Sequence, residues 1–386
     1  MKILEITNVD FSLHHFLLPL METLRERGDE VVGVCAPGPL VQEAREQGFR
    51  IVTIPMARSL SPFAQIRAIV ALIRTIRRER PDVVHAHMPI SGLLARLAAQ
   101  LCNVPIISYT CHGYLFNQPG SWLRRGSALV LEYLAGRITD IYLTVSEEEE
   151  ADAKRLRIHS NPVAVGNGRD PKIFRPDSEA RLTIRTELGT PDDRPVIIAV
   201  SRLVRHKGYP ELLAAMEQVP DAELWIVGER LPSDHGESLD EAFTKAETAL
   251  GSRLKRLGYR KDIARLLAAS DIFVLPSHFE GLPMSIIEAM MCGLPVVSTL
   301  IRGPREQVLN GETGLLVPPG KVAPLAAALR RLATSPELCR KMGLAGRRRA
   351  ISLFDQKIVL GRIAGLLHTG TERGVFQAQS SPSRPM

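Results

Sequence analysis

Two carboxylates stand in the stretch FEGLPMSIIEAMMCGLPVVS, residues 279–298. Glu280 precedes Gly281-Leu282-Pro283, and Glu288 sits among Ile286, Ile287, Ala289, Met290 and Met291. A bare charge in such surroundings is costly, so Glu288 needs donors. A vicinal diol, as in ribose, offers two hydroxyls to one carboxylate. The other reading is a nearby arginine, or backbone amides that Glu288 caps. Pro283 suits the first turn of a helix, where its missing N–H costs nothing. The amides of Leu282, Met284 and Ser285 are then free for an anion such as phosphate, and Gly281 lets the backbone approach it. Glu280, in the loop, would face whatever that phosphate carries, such as sugar hydroxyls.

Other loops supply matching chemistry. SRLVRHKGYP (201–210) carries Arg202, Lys207 and Gly208. An arginine forks onto a diphosphate and a lysine adds a point charge. GYRKDI (258–263), with Arg260 and Lys261, could hold a base through backbone groups. TLIRGPREQVLNGETG (299–314) has Gly303 and a helix-like start at Pro304. Each loop alone reads equally well as a solvated turn. Together they place two cations, two carboxylates and glycine turns on one edge. In the first half, His85 and His87 alternate by two and point the same way on a strand. Zinc on that pair would need more ligands, with Cys111 and His112 as candidates. Acceptor contact or core packing is the other reading of His87. Asp-x-Asp, a metal signature, is absent.

These residues need a scaffold of parallel strands. KILEIT (2–7), EVVGVC (30–35), RIVTIP (50–55), DVVHAH (82–87), PIISYT (105–110) and DIYLTV (140–145) read as strands with helices between them. VAVGNGRDPKIFRPD (163–177) reads as a linker. A second set follows: PVIIAVS (195–201), AELWIVGE (222–229), RLKRLGY (253–259), DIFVLPS (271–277), PVVST (295–299) and GLLVP (314–318). The fold class is α/β, with two doubly wound Rossmann-like domains. Neither has Gly-x-Gly-x-x-Gly after its first strand or a Walker loop, which disfavours dehydrogenases and P-loop enzymes. Loops at the carboxyl ends of such strands line the ligand crevice. Glu280 and His112 both fall there.

The 386 residues carry a net charge of +7, with twelve Lys and Arg against three Asp and Glu from Lys321 onward. Low aromatic content (5%) and the lack of a nucleic-acid module argue against nucleic acid. Five scattered cysteines suggest a reduced, cytoplasmic chain. Neither a signal peptide nor a run near the ~20 apolar residues of a membrane span is found. After Ser61-Pro62, Ile66, Ile69, Val70, Ile73 and Ile76 share one helix face, and Arg67, Arg74 and Arg78 the opposite one. Arg77 and Arg80 lie close by. That basic face is either simply solvated or drawn to an anionic membrane surface, with Trp122, Leu123, Arg124 and Arg125 as a second contact.

The constellation resembles the retaining glycosyltransferases of the family-four type, with the GT-B fold. The matching motifs are EGLPMSIIE with its Glu-x7-Glu, SRLVRHKG, LGYRKDI and GETGLLVPPG. HAHMPISGLLARLAA (85–99) and YTCHGYLF (109–116) resemble the subset making capsule, exopolysaccharide or lipid-linked glycans. The resemblance implies two domains facing each other across a cleft. Residues 1–168 would bind the acceptor, joined by a C-terminal helix at about 355–368, and 169–354 the nucleotide sugar, leaving 369–386 as a disordered tail. It implies donor binding by Arg202, Lys207, Arg260, Lys261, Glu280, Gly281, Leu282, Met284 and Glu288. The catalytic set would be His112, Glu280, Arg202 and Lys207, with Ser12 and His87 toward the acceptor. No metal or cofactor is expected beyond a UDP-sugar co-substrate, and retention of configuration follows from the family. The acceptor would be a glycan or a polyprenyl-linked glycan, met at the inner face of the membrane. One departure is the loop NVDFSLHHF (8–16), which has no glycine where many relatives have two. A non-hydrolysing UDP-sugar epimerase and a non-catalytic subunit of a glycan-assembly complex are the alternatives.

Overall fold

Aliphatic and β-branched runs bounded by Gly, Pro and Asp form the strands in the computed structural model, which describes residues 1–56, 62–118, 120–230, 234 and 237–380. The chain divides into two units: Met1–Gly166 with the segment from Ile358 onward, and Asn167–Lys357. In the first, β1 (Lys2–Ile6), β2 (Glu30–Cys35), β3 (Arg50–Thr53), β4 (Val83–His87), β5 (Ile106–Cys111), β6 (Ile141–Thr144) and β7 (Val163–Ala164) form one sheet. Its order is β3-β2-β1-β4-β5-β6-β7. The pairings are parallel. Every expected strand of this half is present. β7 lies inside the stretch that reads as a linker.

The second unit holds β8 (Val196–Val200), β9 (Glu223–Val227), β10 (Leu254–Gly258), β11 (Ile272–Leu275), β12 (Val296–Thr299) and β13 (Gly314–Val317). Its order is β10-β9-β8-β11-β12-β13. Strand order reverses between β1 and β4 in one sheet and between β8 and β11 in the other. At such a reversal, successive connections leave on opposite faces and open a crevice beyond the carboxyl ends of the strands. Both crevices therefore have an address before any side chain is considered.

Two expectations change. Of the expected apolar face of the helix Pro62–Glu79, Ile76 is buried and Ile69 and Ile73 pack partly buried on the same core, but Ile66 and Val70 are exposed and Ala68, Leu72, Thr75 and Glu79 are buried instead. The reason is Glu79. Its carboxylate receives Lys2 (3.2 Å), Arg50 (2.8 Å) and Arg78 (3.0 Å), so a charge is affordable on the inward face and the helix turns to present it. The C-terminal helix runs Gln356–Ser380, across residues where the sequence suggests a disordered tail. Val359, Leu360, Ile363, Ala364 and Leu367 pack it against Ile3, Leu18 and Val83. Once that packing nucleates the helix, each further residue adds a hydrogen bond without the nucleation cost. Residues 381–386 lie outside the described chain.

A buried ion pair fixes the helix Trp122–Gly136 on the first unit. Arg96 donates to both oxygens of Glu132 at 2.9 and 3.1 Å. Tyr142 donates to the same carboxylate at 2.8 Å, and the guanidinium lies 3.8 Å over the Tyr109 ring. Removing one partner strands the other, so Glu132→Ala should lower the unfolding free energy by about 3–5 kcal/mol. A urea titration of Glu132→Ala beside the double variant Arg96→Met, Glu132→Ala checks this. The second substitution should restore most of the loss.

Candidate functional site

The loops leaving β8 and β11 meet because these strands pair, with Ile272 opposite Ile197. Gly208 closes the first loop at φ +78°. A Cβ there would lie 2.1 Å from the Pro276 carbonyl oxygen, so only glycine lets the two loops touch. His206 stacks on Phe279, ring centroids 4.5 Å apart. Burial, with Lys207 and Arg202 nearby, lowers its pKa to about 4. These contacts bring Lys207 to Glu280: Nζ donates to Oε1 at 2.6 Å, and the Ser277 hydroxyl donates to the same oxygen at 2.6 Å. Oε2 of Glu280 has no hydrogen bond among the described residues. The site thus holds a carboxylate whose charge is balanced on one side and which can accept on the other.

The helix Met284–Met291 begins beside it. Pro283 takes the cap position with extended ψ, one residue earlier than expected for a first-turn proline. Its start is braced by Asn167 donating to the Leu282 carbonyl (2.8 Å) and Gln307 to that of Pro283 (2.9 Å). Gly303 presses against Gly281, where a Cβ would lie 1.7 Å from the carbonyl oxygen. Leu282 is buried and Met284 half-buried. Glu288 is buried one turn on and receives Arg169 Nε at 2.6 Å on Oε1. The arginine alternative is therefore the observed arrangement of Glu288, and Oε2 has no partner among the described residues.

The cations divide. Arg202 pairs with Asp234 while its guanidinium remains partly exposed. Arg260 is taken by Asp262 (2.7 and 2.6 Å) and Glu187 (3.2 Å), and the Tyr259 amide of the same loop donates to Glu229 at 3.1 Å. Lys261 is exposed on the same loop.

The reversal in the first unit carries a different set. Glu5 on β1 lies opposite His85 on β4, and His87 is two residues on, on the same face. Glu5 Oε1 meets His85 Nδ1 at 3.0 Å and Oε2 meets His87 Nε2 at 2.8 Å. His85 Nε2 reaches Thr110 Oγ1 at 2.8 Å, and His87 Nδ1 reaches His112 Nε2 at 3.2 Å. Both ring nitrogens of His87 are engaged and the residue is buried, so the acceptor contact expected for it gives way to a role behind His112. Zinc with Cys111 finds no support, since Cys111 faces the apolar core. The third group is Glu5, its ligand-type atom within 4.8 Å of those of His85 and His87. Ser12 is buried just before the wide π-type turn Leu13–Leu17. Burial alone would raise the Glu5 carboxyl, but the two imidazoles outweigh it and hold it at about 2. Burial, then His85, lowers His87 to about 4. Burial, then His87 and His85, lowers His112 to about 3.

Sequence reasoning missed Glu5, Ser277 and Arg169. A signal for Glu5 existed: a charge inside KILEIT raises the same question as Glu288. Arg169 was hidden in the linker, and Ser277 carried no pattern at all.

The comparisons fit this geometry. Residues 180–349 match the family described as glycosyl transferases group 1, and residues 14–168 the glycosyl transferase 4-like domain. Over 294 residues the chain is 31% identical to the UDP-Gal:alpha-D-GlcNAc-diphosphoundecaprenol alpha-1,3-galactosyltransferase of Escherichia coli, spanning 72% of this chain and 73% of that one. It is 26% identical over 326 residues to the N,N'-diacetylbacillosaminyl-diphospho-undecaprenol alpha-1,3-N-acetylgalactosaminyltransferase of Campylobacter jejuni (82% and 85% covered). Sucrose-phosphate synthase from Thermosynechococcus elongatus shares the fold at TM-score 0.82 and 24% identity, covering 98% of this chain and 100% of that one. Anabaena HepE in complex with UDP and glucose does so at 0.80 and 21%, covering 96% and 100%. The chain belongs to the group 1 glycosyl transferases, has the GT-B fold, and is a glycosyltransferase.

The Glu5 cluster sets an acid sensitivity. Unfolded His87 takes up its proton near its ordinary 6.5, whereas folded it does so near 4. Between those values the unfolded chain binds more protons, so stability is complete above pH 6.5 and falls as pH drops toward 4. Glu5 acts in the same direction from 4.5 down to about 2. Chemical unfolding between pH 7 and 5 should show a falling free energy. His87→Phe should flatten the slope by up to about 1.4 kcal/mol per pH unit, the limit for one proton.

Proposed function

We propose that this glycosyltransferase moves a sugar from a UDP-sugar to a hydroxyl of a lipid-linked glycan, with retention of configuration. The observation that carries the reading is the Lys207–Glu280–Ser277 group at the β8/β11 reversal, beside the start of the helix Met284–Met291. Lys207, Arg202 and the helix-start amides balance the diphosphate as it leaves. Glu280 accepts from a sugar hydroxyl through Oε2 and offsets the positive charge that develops at the anomeric carbon. Glu288, with Arg169 fixing one oxygen, accepts from the ribose. Arg260 and Lys261 place the loop whose backbone reads the base, and Gly281, Leu282 and Met284 shape the phosphate contact. Ser12 belongs to the acceptor side. The acceptor oxygen bonds to the anomeric carbon on the face the phosphate leaves. The C–O bond to phosphate breaks with its electron pair, and the hydroxyl proton passes to a phosphate oxygen. No metal enters this scheme, and EDTA-treated enzyme should keep its rate. Relatives named for diphosphoundecaprenol acceptors, and a structural neighbour holding UDP, support these choices.

The first unit offers a surface for such an acceptor's membrane. Phe63, Ile66 and Val70 are exposed along with Arg67, Arg74 and Arg77. Trp122 (79% exposed), Leu123, Val130, Leu131 and Leu134 share the other exposed helix with Arg124 and Arg125. Apolar groups with basic neighbours suit an anionic interface. No helix among the described residues is long and apolar enough to cross a membrane.

Two measurements test the proposal. In a nucleotide-sugar panel, UDP release should require a lipid extract. Lys207→Ala and Glu280→Ala should each cost about 100- to 1000-fold in kcat/KM. A new sugar isomer formed without acceptor would overturn the transfer reading. Separately, the protein should pellet with anionic liposomes but not neutral ones, and Trp122→Glu with Leu123→Glu should abolish pelleting. Equal binding by that variant removes the membrane face.

A further inference from the structure

The hydrogen bonds behind His112 fix more than its position. Glu5 can only accept, so His85 Nδ1 and His87 Nε2 must both carry hydrogens toward it. His87 then has one nitrogen left, Nδ1, 3.2 Å from His112 Nε2. In the neutral imidazole that nitrogen is a lone pair, so His112 Nε2 must carry the hydrogen between them. His112 Nδ1 is consequently bare. It has no hydrogen-bond partner among the described residues. Burial that keeps both imidazoles uncharged near neutral pH closes the logic.

We infer that Glu5 and His87 form a positioning relay which holds His112 in the Nε2–H tautomer, so that Nδ1 is presented as a hydrogen-bond acceptor to a substrate hydroxyl. The selection runs one way: carboxylate, imidazole, imidazole, hydroxyl. Each member accepts from the next. A ring free to rotate or change tautomer would present a donor as often as an acceptor. His85 is the outer brace, because Thr110 Oγ1 can either donate to it or accept from it. Metal in place of the relay would need the hydrogens on His85 Nδ1 and His87 Nε2 to be absent, which Glu5 as their common acceptor argues against.

This inference rests on His112 facing the substrates, as the functional reading has it, but its first test does not. Histidine-selective 15N spectra of the full chain report which ring nitrogen carries hydrogen. The His112 signals are assigned by their loss in His112→Ala. Wild-type protein should show His112 with hydrogen on Nε2 and an unprotonated Nδ1. Hydrogen on Nδ1 instead would overturn the relay, and so would stoichiometric zinc in the purified protein that is lost in His87→Phe. In His87→Phe the single tautomer should give way to a mixture, with kcat/KM for the donor about 10- to 100-fold lower and acceptor KM unchanged. Unchanged tautomer and turnover in that variant would also overturn the inference. Failure of the functional reading looks different: the wild-type tautomer as expected, and no nucleotide released from any donor.

Discussion

A carboxylate between buried parallel strands must be balanced, and the structure is organised around where that balance comes from. Glu5 sits at zero exposure and draws its donors from β4, the strand that sheet topology places beside it. Glu280 draws on Lys207 from the loop after β8, and Glu288 on Arg169 from the stretch entering the second unit. In none of the three is the partner close in sequence. Each pair therefore works only if the chain has already adopted its strand order, and each in turn penalises any other order by leaving a charge uncompensated.

The strand reversals explain why these pairs coincide with chemistry. Helices cover both faces of a parallel sheet, so the open space is at the carboxyl ends of the strands, and most so where the order turns back. Side chains sent there stay within reach of one another. Gly208 and Gly303 make the second-unit loops dense enough to matter: a Cβ at either would collide with a neighbouring carbonyl oxygen, and the loops would separate. A site built on backbone contact in this way holds its charged groups with little freedom, which is what lets a single lysine–carboxylate contact persist at a surface.

Much of this was legible in the sequence, and what was not has a common cause. The strands were readable because a buried parallel strand is an unbroken apolar run. Glu280, Lys207 and Arg202 were readable because each lies in a loop directly after such a run. The face of the helix Pro62–Glu79 was not. Apolar spacing fits two overlapping stripes there, and the choice rested on Glu79 finding Lys2 and Arg50, a pairing between distant segments. Glu288 was readable as needing a partner but not as having Arg169. His87 had two readings, and long-range pairing with Glu5 decided between them. Spacing along the chain indicates that a group must be satisfied; only topology says by what.

The electrostatics of the two units differ in kind, and the proposed chemistry accounts for the difference. In that proposed chemistry the leaving diphosphate gains negative charge, and the loop after β8 holds the two cations that face it, Lys207 and Arg202. The anomeric carbon gains positive charge at the same moment. A further cation from His112 would oppose that gain, whereas a neutral imidazole with a lone pair does not. Burial disfavours protonation of His87 and His112, while the negative charge of Glu5 is screened from the outermost ring by the one between. The carboxylate thus orients the ring without charging it. A glutamate placed directly against His112 would raise that imidazole's affinity for a proton and defeat the purpose. The length of the relay, one histidine rather than none, is the feature that allows both.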